Sequence, residues 1–142
     1  MKKITLIFAM FLFVAFAAKA QTSTTTTKKA DGPEITFESL EHDYGTIPQG
    51  ANGDCVFNFK NTGNEPLILS DVRKSCGCTT PTWSKEPILP GQKGVINIGY
   101  NTNNVGTFSK TITVISNATN SSVVITIKGT VTAKETGTEP QK

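Results

Sequence analysis

Residues 74–81 read KSCGCTTP, two cysteines separated by one glycine in a chain that has three cysteines and a single histidine, His42. Thiols at this spacing admit three chemistries. Closed on themselves, Cys76 and Cys78 form a short ring that Gly77, free of Cβ restrictions, helps to accommodate. A strained bridge of that kind exchanges with other thiols, and Arg73 and Lys74 alongside favour a thiolate. Left reduced, the pair offers two soft sulfurs to Cu(I). Cys55, Cys76, Cys78 and His42 together also supply three sulfurs and one nitrogen for a closed zinc site, although their spacing matches no familiar zinc module. Bonded instead to Cys55, either member becomes an ordinary structural crosslink. The crosslink or a buried thiol is the favoured reading, metal on Cys76 and Cys78 is the alternative, and no cofactor is expected.

Compartment bears on that choice. Residues 1–20, MKKITLIFAMFLFVAFAAKA, place two lysines before an apolar run and end in Ala18-Lys19-Ala20. This is the pattern of a secretory signal peptide, and the run is shorter than the ~20 apolar residues that span a bilayer. No transmembrane segment is expected once it is removed, and a secreted product in the periplasm or at the cell surface meets oxidising conditions in which cysteines pair. The signal also carries the basic excess. The chain has 14 Lys and Arg, and without Lys2, Lys3 and Lys19 eleven remain against 11 acidic residues. A neutral chain with scattered cations lacks the basic stripe of a nucleic-acid binder.

The elements that must position the cysteines are strands. Residues 21–33 form a threonine-rich linker and 133–142 a polar tail, neither with enough apolar surface to offset ordering entropy. Between them, 34–132 alternates with period two throughout. Ile35 and Phe37 share one face, as do Cys55, Phe57 and Phe59, then Ile96, Ile98 and Tyr100, then Val123, Ile125, Ile127 and Val131. Residues 67–72 (LILSDV) and 108–115 (FSKTITVI) add two more, and 44–47 reads as a short continuation of the first strand. About seven short strands between turn signals, without helices, predict an all-β, immunoglobulin-like antiparallel sandwich, with a small barrel as the alternative. The strand order brings Cys55 and Cys76 to one end of that sandwich. A Cys55 bridge to Cys76 or Cys78 is therefore expected to be within reach, closing a loop of about twenty residues worth ~3 kcal/mol.

The succession HDYGTIPQG, FNFKNTGNEPLILSDVRKSCGCTTPTW, ILPGQKGVINIGYNT and GTFSKTITVISN resembles the bacterial secreted family known as domain of unknown function 1573. The residues that carry the likeness are Gly45, Cys76, Gly77, Cys78, Thr79, Trp83, Pro90, Gly91 and Gly94. The resemblance spans 35–131 and implies an immunoglobulin-like fold akin to ASPM/SPD-2/Hydin-type, major sperm protein and pilus-chaperone sandwiches. It implies no established activity. The chain departs from the family pattern at Cys55, where an ordinary strand residue is expected.

Hydrolytic chemistry needs a nucleophile with a base, or paired carboxylates in a cleft. One histidine, no G-x-S-x-G, no H-E-x-x-H and singly placed acids such as Asp54, Glu65 and Asp71 offer neither. Trp83 and Tyr44 are read as core aromatics rather than ligand platforms, and the N-x-[ST] matches at Asn117 and Asn120 as a polar hairpin loop. The expectation is a non-enzymatic binding or scaffolding module with a protein partner, reached by strand addition at a sheet edge. Copper binding or disulfide exchange at Cys-Gly-Cys is the alternative.

Overall fold

A computed structural model describes residues 31–134. The segment expected to be a signal peptide, most of the expected linker and most of the expected tail lie outside the described residues. Eight strands occur in the order β1 (Ile35–Phe37), β2 (Glu41–Pro48), β3 (Asp54–Asn61), β4 (Leu69–Lys74), β5 (Thr79–Trp83), β6 (Lys93–Tyr100), β7 (Gly106–Ser116) and β8 (Ser122–Thr132).

They pair into two separate four-stranded sheets, β1-β3-β6-β5 and β2-β8-β7-β4. Two separate sheets exclude the barrel. The first strand is shared between them. β1 runs antiparallel to β3, and after bends at Glu38 and Leu40 the chain changes sheets so that β2 lies parallel to β8. Counting β1 and β2 as one divided strand gives the seven of an immunoglobulin-type sandwich.

Burial follows the alternation. Along β3, Cys55, Phe57, Phe59 and Asn61 are buried while Asp54, Val56, Asn58 and Lys60 are exposed. Ile96 and Ile98 of β6 face Ile112 and Val114 of β7 and Ile125 and Ile127 of β8 in the core between the sheets. Each fully buried side chain of this size contributes roughly 1.5–3 kcal/mol, so the inner faces account for most of the driving force.

One strand escapes sequence reading. Thr79–Trp83 (TTPTW) is a sheet edge, with three threonines and a proline where alternating aliphatics would mark a strand. Proline in a run demotes it unless it lies at an edge, where the missing N–H is harmless.

Candidate functional site: the Cys76–Cys78 crossover and the β4 edge

Between β4 and β5 the chain passes from one sheet to the other in four residues, 75–78. Both flanks are tied down. The Ser75 amide donates to the Thr111 carbonyl at 3.0 Å, and the Thr111 amide donates to Ser75 Oγ at 3.1 Å. On the other side the Asn101 amide donates to the Cys78 carbonyl at 2.9 Å, and the buried Thr79 hydroxyl donates to the Cys76 carbonyl at 3.3 Å. These bonds hold a tight loop in which Cys76 and Cys78 form a disulfide, with Cα atoms 5.3 Å apart. Both cysteines are half-buried and Gly77 is exposed, with open space around its Cα.

The expected crosslink to Cys55 is not made. Cys55 is a free, buried thiol. The strand arithmetic placed it correctly at the same sandwich end as the pair, but it treated β3 and β4 as neighbours when they belong to different sheets. Cys55 sits opposite Ile98, and Ile98 opposite Pro81, so two strand spacings, about 10 Å, separate β3 from β5. Cys78 lies three residues further along, well outside the ~7 Å limit on Cα separation. The zinc reading fails on the same geometry: among the described residues no three His, Cys, Asp or Glu side chains come together as a metal group. As a disulfide, the pair has no thiolate to offer a soft cation.

Cys55 belongs to a different local structure. It lies beneath Tyr44, whose hydroxyl donates to the Gly53 carbonyl at 2.6 Å and also lies against the Cys55 thiol. Tyr44 packs on Phe108 and Tyr100, and those two rings stack with centroids 3.9 Å apart. Burial pushes the Cys55 thiol up, partly opposed by the Tyr44 hydrogen bond, and burial likewise pushes the Tyr44 phenol well above its ordinary value. His42 packs edge-on against Tyr44 at 4.5 Å on the edge strand β2. It is no partner for the disulfide.

Most of the remaining motif residues are structural. Gly45, at φ 62°, makes the bulge that shifts the β2–β8 register between Asp43 and Thr46. Pro90 and Gly91 turn the chain into β6. Gly94 leaves the space that the Phe59 ring fills, since a Cβ there would stand 2.4 Å from Phe59 Cζ. Trp83 packs against the core with Lys85 Nζ 4.5 Å above its ring, and its buried indole N–H has no partner. Asn117 and Asn120 staple loops. Asn117 bonds to the Ile68 amide and the Pro66 carbonyl, Asn120 to both backbone groups of Ile35.

Sequence reading missed two features of the site. Lys110 adjoins the last bonded residues of the β4–β7 ladder: Lys74 pairs with Ile112, and the Ser75 amide bonds to Thr111, the residue after Lys110. Lys110 lies on the face of β7 that carries Phe108 and Ile112, and it is half-buried. Its place in an otherwise apolar alternation was the available signal. The second feature is the β4 edge. The Ser75 amide donates to the Thr111 carbonyl of β7, so by alternation the backbone groups of Asp71 and Arg73 also face β7, while those of Val72 and Lys74 point away from the sheet.

Elsewhere a shallow trough crosses the outer face of β3, β6 and β5 above Gly99, between Asp54, Thr80, Thr82 and Asn97. It brings one carboxylate beside hydroxyls and an amide, without a base.

Over residues 35–131 the chain matches the model of a family described as protein of unknown function (DUF1573). It belongs to that family. No curated protein matches it. Among solved structures it is similar to a protein of unknown function from Porphyromonas gingivalis W83, at 18% identity and TM-score 0.63, covering 76% of this chain and 51% of that one. It thus spans about half the length of that relative. It is also similar to the ASH/PapD-like domain 7 of human CEP192, at 9% identity and TM-score 0.62, covering 89% of this chain and 100% of that domain. The Vibrio cholerae VesB protease shares the sandwich over 31% of its length, at 12% identity and TM-score 0.56, covering 69% of this chain. At these identities the likeness is one of fold. The fold is an immunoglobulin-like β-sandwich.

Proposed function

We propose that the chain is a secreted, non-catalytic binding module of the bacterial envelope that takes an extended segment of a partner protein as an added strand along β4. The observation that carries this reading is how differently the four sheet edges are guarded. β1 is three residues long. β2 is broken by the Gly45 bulge and lined by Glu41 and Asp43, both paired to Lys128. In β5 the backbone groups of Thr79, Pro81 and Trp83 point away from the sheet, because the Cys78 carbonyl accepts from Asn101, the residue after β6, so proline removes the middle donor of that edge. Short strands, bulges, charges and proline are the devices that keep an edge from pairing.

β4 keeps the Lys74 amide and carbonyl and the Val72 carbonyl along an exposed edge. It is guarded by a register irregularity between Leu69 and Asp71 and, beyond that, by exposed charges alone: the Asp71 carboxylate leans on the Val72 amide and is held by Arg73 at 2.9 Å. That exposed ion pair contributes little and is displaced at low cost. Strand addition supplies backbone hydrogen bonds to any extended segment, with side-chain pockets setting preference.

Lys74→Pro removes an outward donor while leaving the ladder to β7 intact. A partner captured by the wild type from envelope fractions and lost with K74P supports strand addition; undiminished capture by K74P rejects it. Mass analysis of the mature chain is expected to show Gln21 as the first residue, and a chain retaining residues 1–20 would refute secretion by cleavage. Reproducible turnover of any substrate would overturn the non-catalytic reading.

A further inference from the structure

We infer that the Cys76–Cys78 disulfide is a thiol–disulfide exchange site, which takes two electrons from a protein dithiol and hands over its disulfide in return. This goes beyond the binding reading and does not depend on it. Four observations converge. The bridge joins residues two apart in sequence, so it fastens no distant parts of the fold together. The loop stands at the surface, with open space over Gly77 from which an attacking sulfur can approach. Its flanks are anchored by hydrogen bonds that use Ser75, Thr79 and Asn101 and no sulfur, so the reduced loop keeps its place and its two thiols stay close enough to re-form the bond. Finally, Lys74 ends β4 two residues before Cys76, and Lys110 adjoins Thr111, which bonds to Ser75; cations near the pair lower the free energy of the thiolate that must leave.

The third cysteine sharpens the assignment. A buried thiol within reach would let the surface bridge shuffle into the core, as the Cys55 crosslink would have required. Two strand spacings prevent that, so Cys76 and Cys78 form a closed two-sulfur system.

The step balances. A thiolate of the partner dithiol attacks one sulfur of the bridge; that S–S bond breaks and the other cysteine leaves as thiolate, taking a proton from water. The partner's second thiolate then attacks the mixed disulfide and releases the first cysteine. The partner is oxidised to its disulfide and the chain is reduced to Cys76 and Cys78 thiols. Exposed bridges in small rings lie toward the oxidising end of the disulfide range, which sets this direction.

The test uses the purified chain, with reduced, unfolded ribonuclease A as the dithiol probe and thiol trapping read by mass spectrometry. Wild type and Cys55→Ser are expected to oxidise the probe stoichiometrically, while Cys76→Ser and Cys78→Ser fall to the background rate. Lys110→Gln is expected to slow the first step several-fold without changing its end point. In graded glutathione buffers, the pair is expected to become reduced while circular dichroism stays unchanged. Persistence of the bridge until excess dithiothreitol is added overturns the inference, as does loss of folded signal on its reduction. Retention of exchange by both single-serine variants overturns it as well.

Discussion

The Asn61 corner and the Cys76–Cys78 crossover are both compact motifs in sequence, and they use their atoms in opposite ways. At the corner everything points inward. Asn61 is fully buried, its amide N–H groups donate to the Glu65 and Ile88 carbonyls at 2.7 and 2.8 Å, and its carbonyl oxygen accepts from the Gly63 amide at 3.0 Å. Gly63 beside it has no room for a side chain, since a Cβ would stand 2.2 Å from the Gly32 carbonyl oxygen. At the crossover the backbone is tied down, Gly77 is exposed, and the two cysteines beside it are half-buried, with Cys78 packed against the edge of the core. A motif that spends its polar atoms on its own chain is architecture; one that anchors its backbone without using its half-buried sulfurs leaves them available for chemistry.

The largest expected effect lies at the corner. Asn61→Ala leaves the Glu65 carbonyl and the Gly63 amide without their partner and takes one of two donors from the Ile88 carbonyl, and is expected to cost about 2–3 kcal/mol in urea unfolding. A cost near that of a surface substitution would show that water replaces the amide and that the corner is no pin. Next comes the buried thiol. Cys55→Ser puts a hydroxyl into an apolar site and is expected to cost about 1–3 kcal/mol, while Cys55→Ala, without the polar penalty, is expected to cost less.

The same thiol predicts a pH dependence. Its folded value is raised above the unfolded value, so its contribution is fully present below pH ~8.5 and is lost as pH climbs through the raised value. Wild type should therefore lose stability between neutral pH and pH 10 more steeply than Cys55→Ala. Parallel curves would mean that the thiol is not desolvated.

The crossover comes third. A ring closed over three residues removes little chain entropy, so replacing both Cys76 and Cys78 by serine is expected to cost under about 2 kcal/mol. A larger loss would erase the contrast with the corner and make the bridge structural. The smallest effect is expected at exposed pairs. Breaking Lys93 from Glu38 with Glu38→Gln is expected to leave the melting temperature unchanged within error, because both partners are solvated.

Much of the sandwich was legible because alternation at Cys55, Phe57 and Phe59, or at Ile96, Ile98 and Tyr100, is a local property that burial enforces directly. Sheet membership was not. Nothing within LILSDV says that it joins β7 rather than β3, and the error in the expected Cys55 bridge came from that single non-local fact. Strand β5 was hidden because an edge strand needs few apolar residues and tolerates Pro81. The site was half legible. The cysteines announced themselves, whereas Lys110 is brought to the neighbourhood of the crossover only by a strand pairing that no stretch of sequence states.

The amides of Asn117 and Asn120 carry a practical consequence. Both belong to N-x-[ST] triplets, and both already donate to backbone carbonyls, of Pro66 and Ile35. In a eukaryotic secretory host, sugar would be transferred to those nitrogens as the chain emerges, before the loops close around them. Each glycan would then occupy the position of a loop-fastening proton. Material from such a host is expected to be heterogeneous and less stable, so a bacterial periplasm is the production compartment that preserves the native loops and oxidises the cysteine pair.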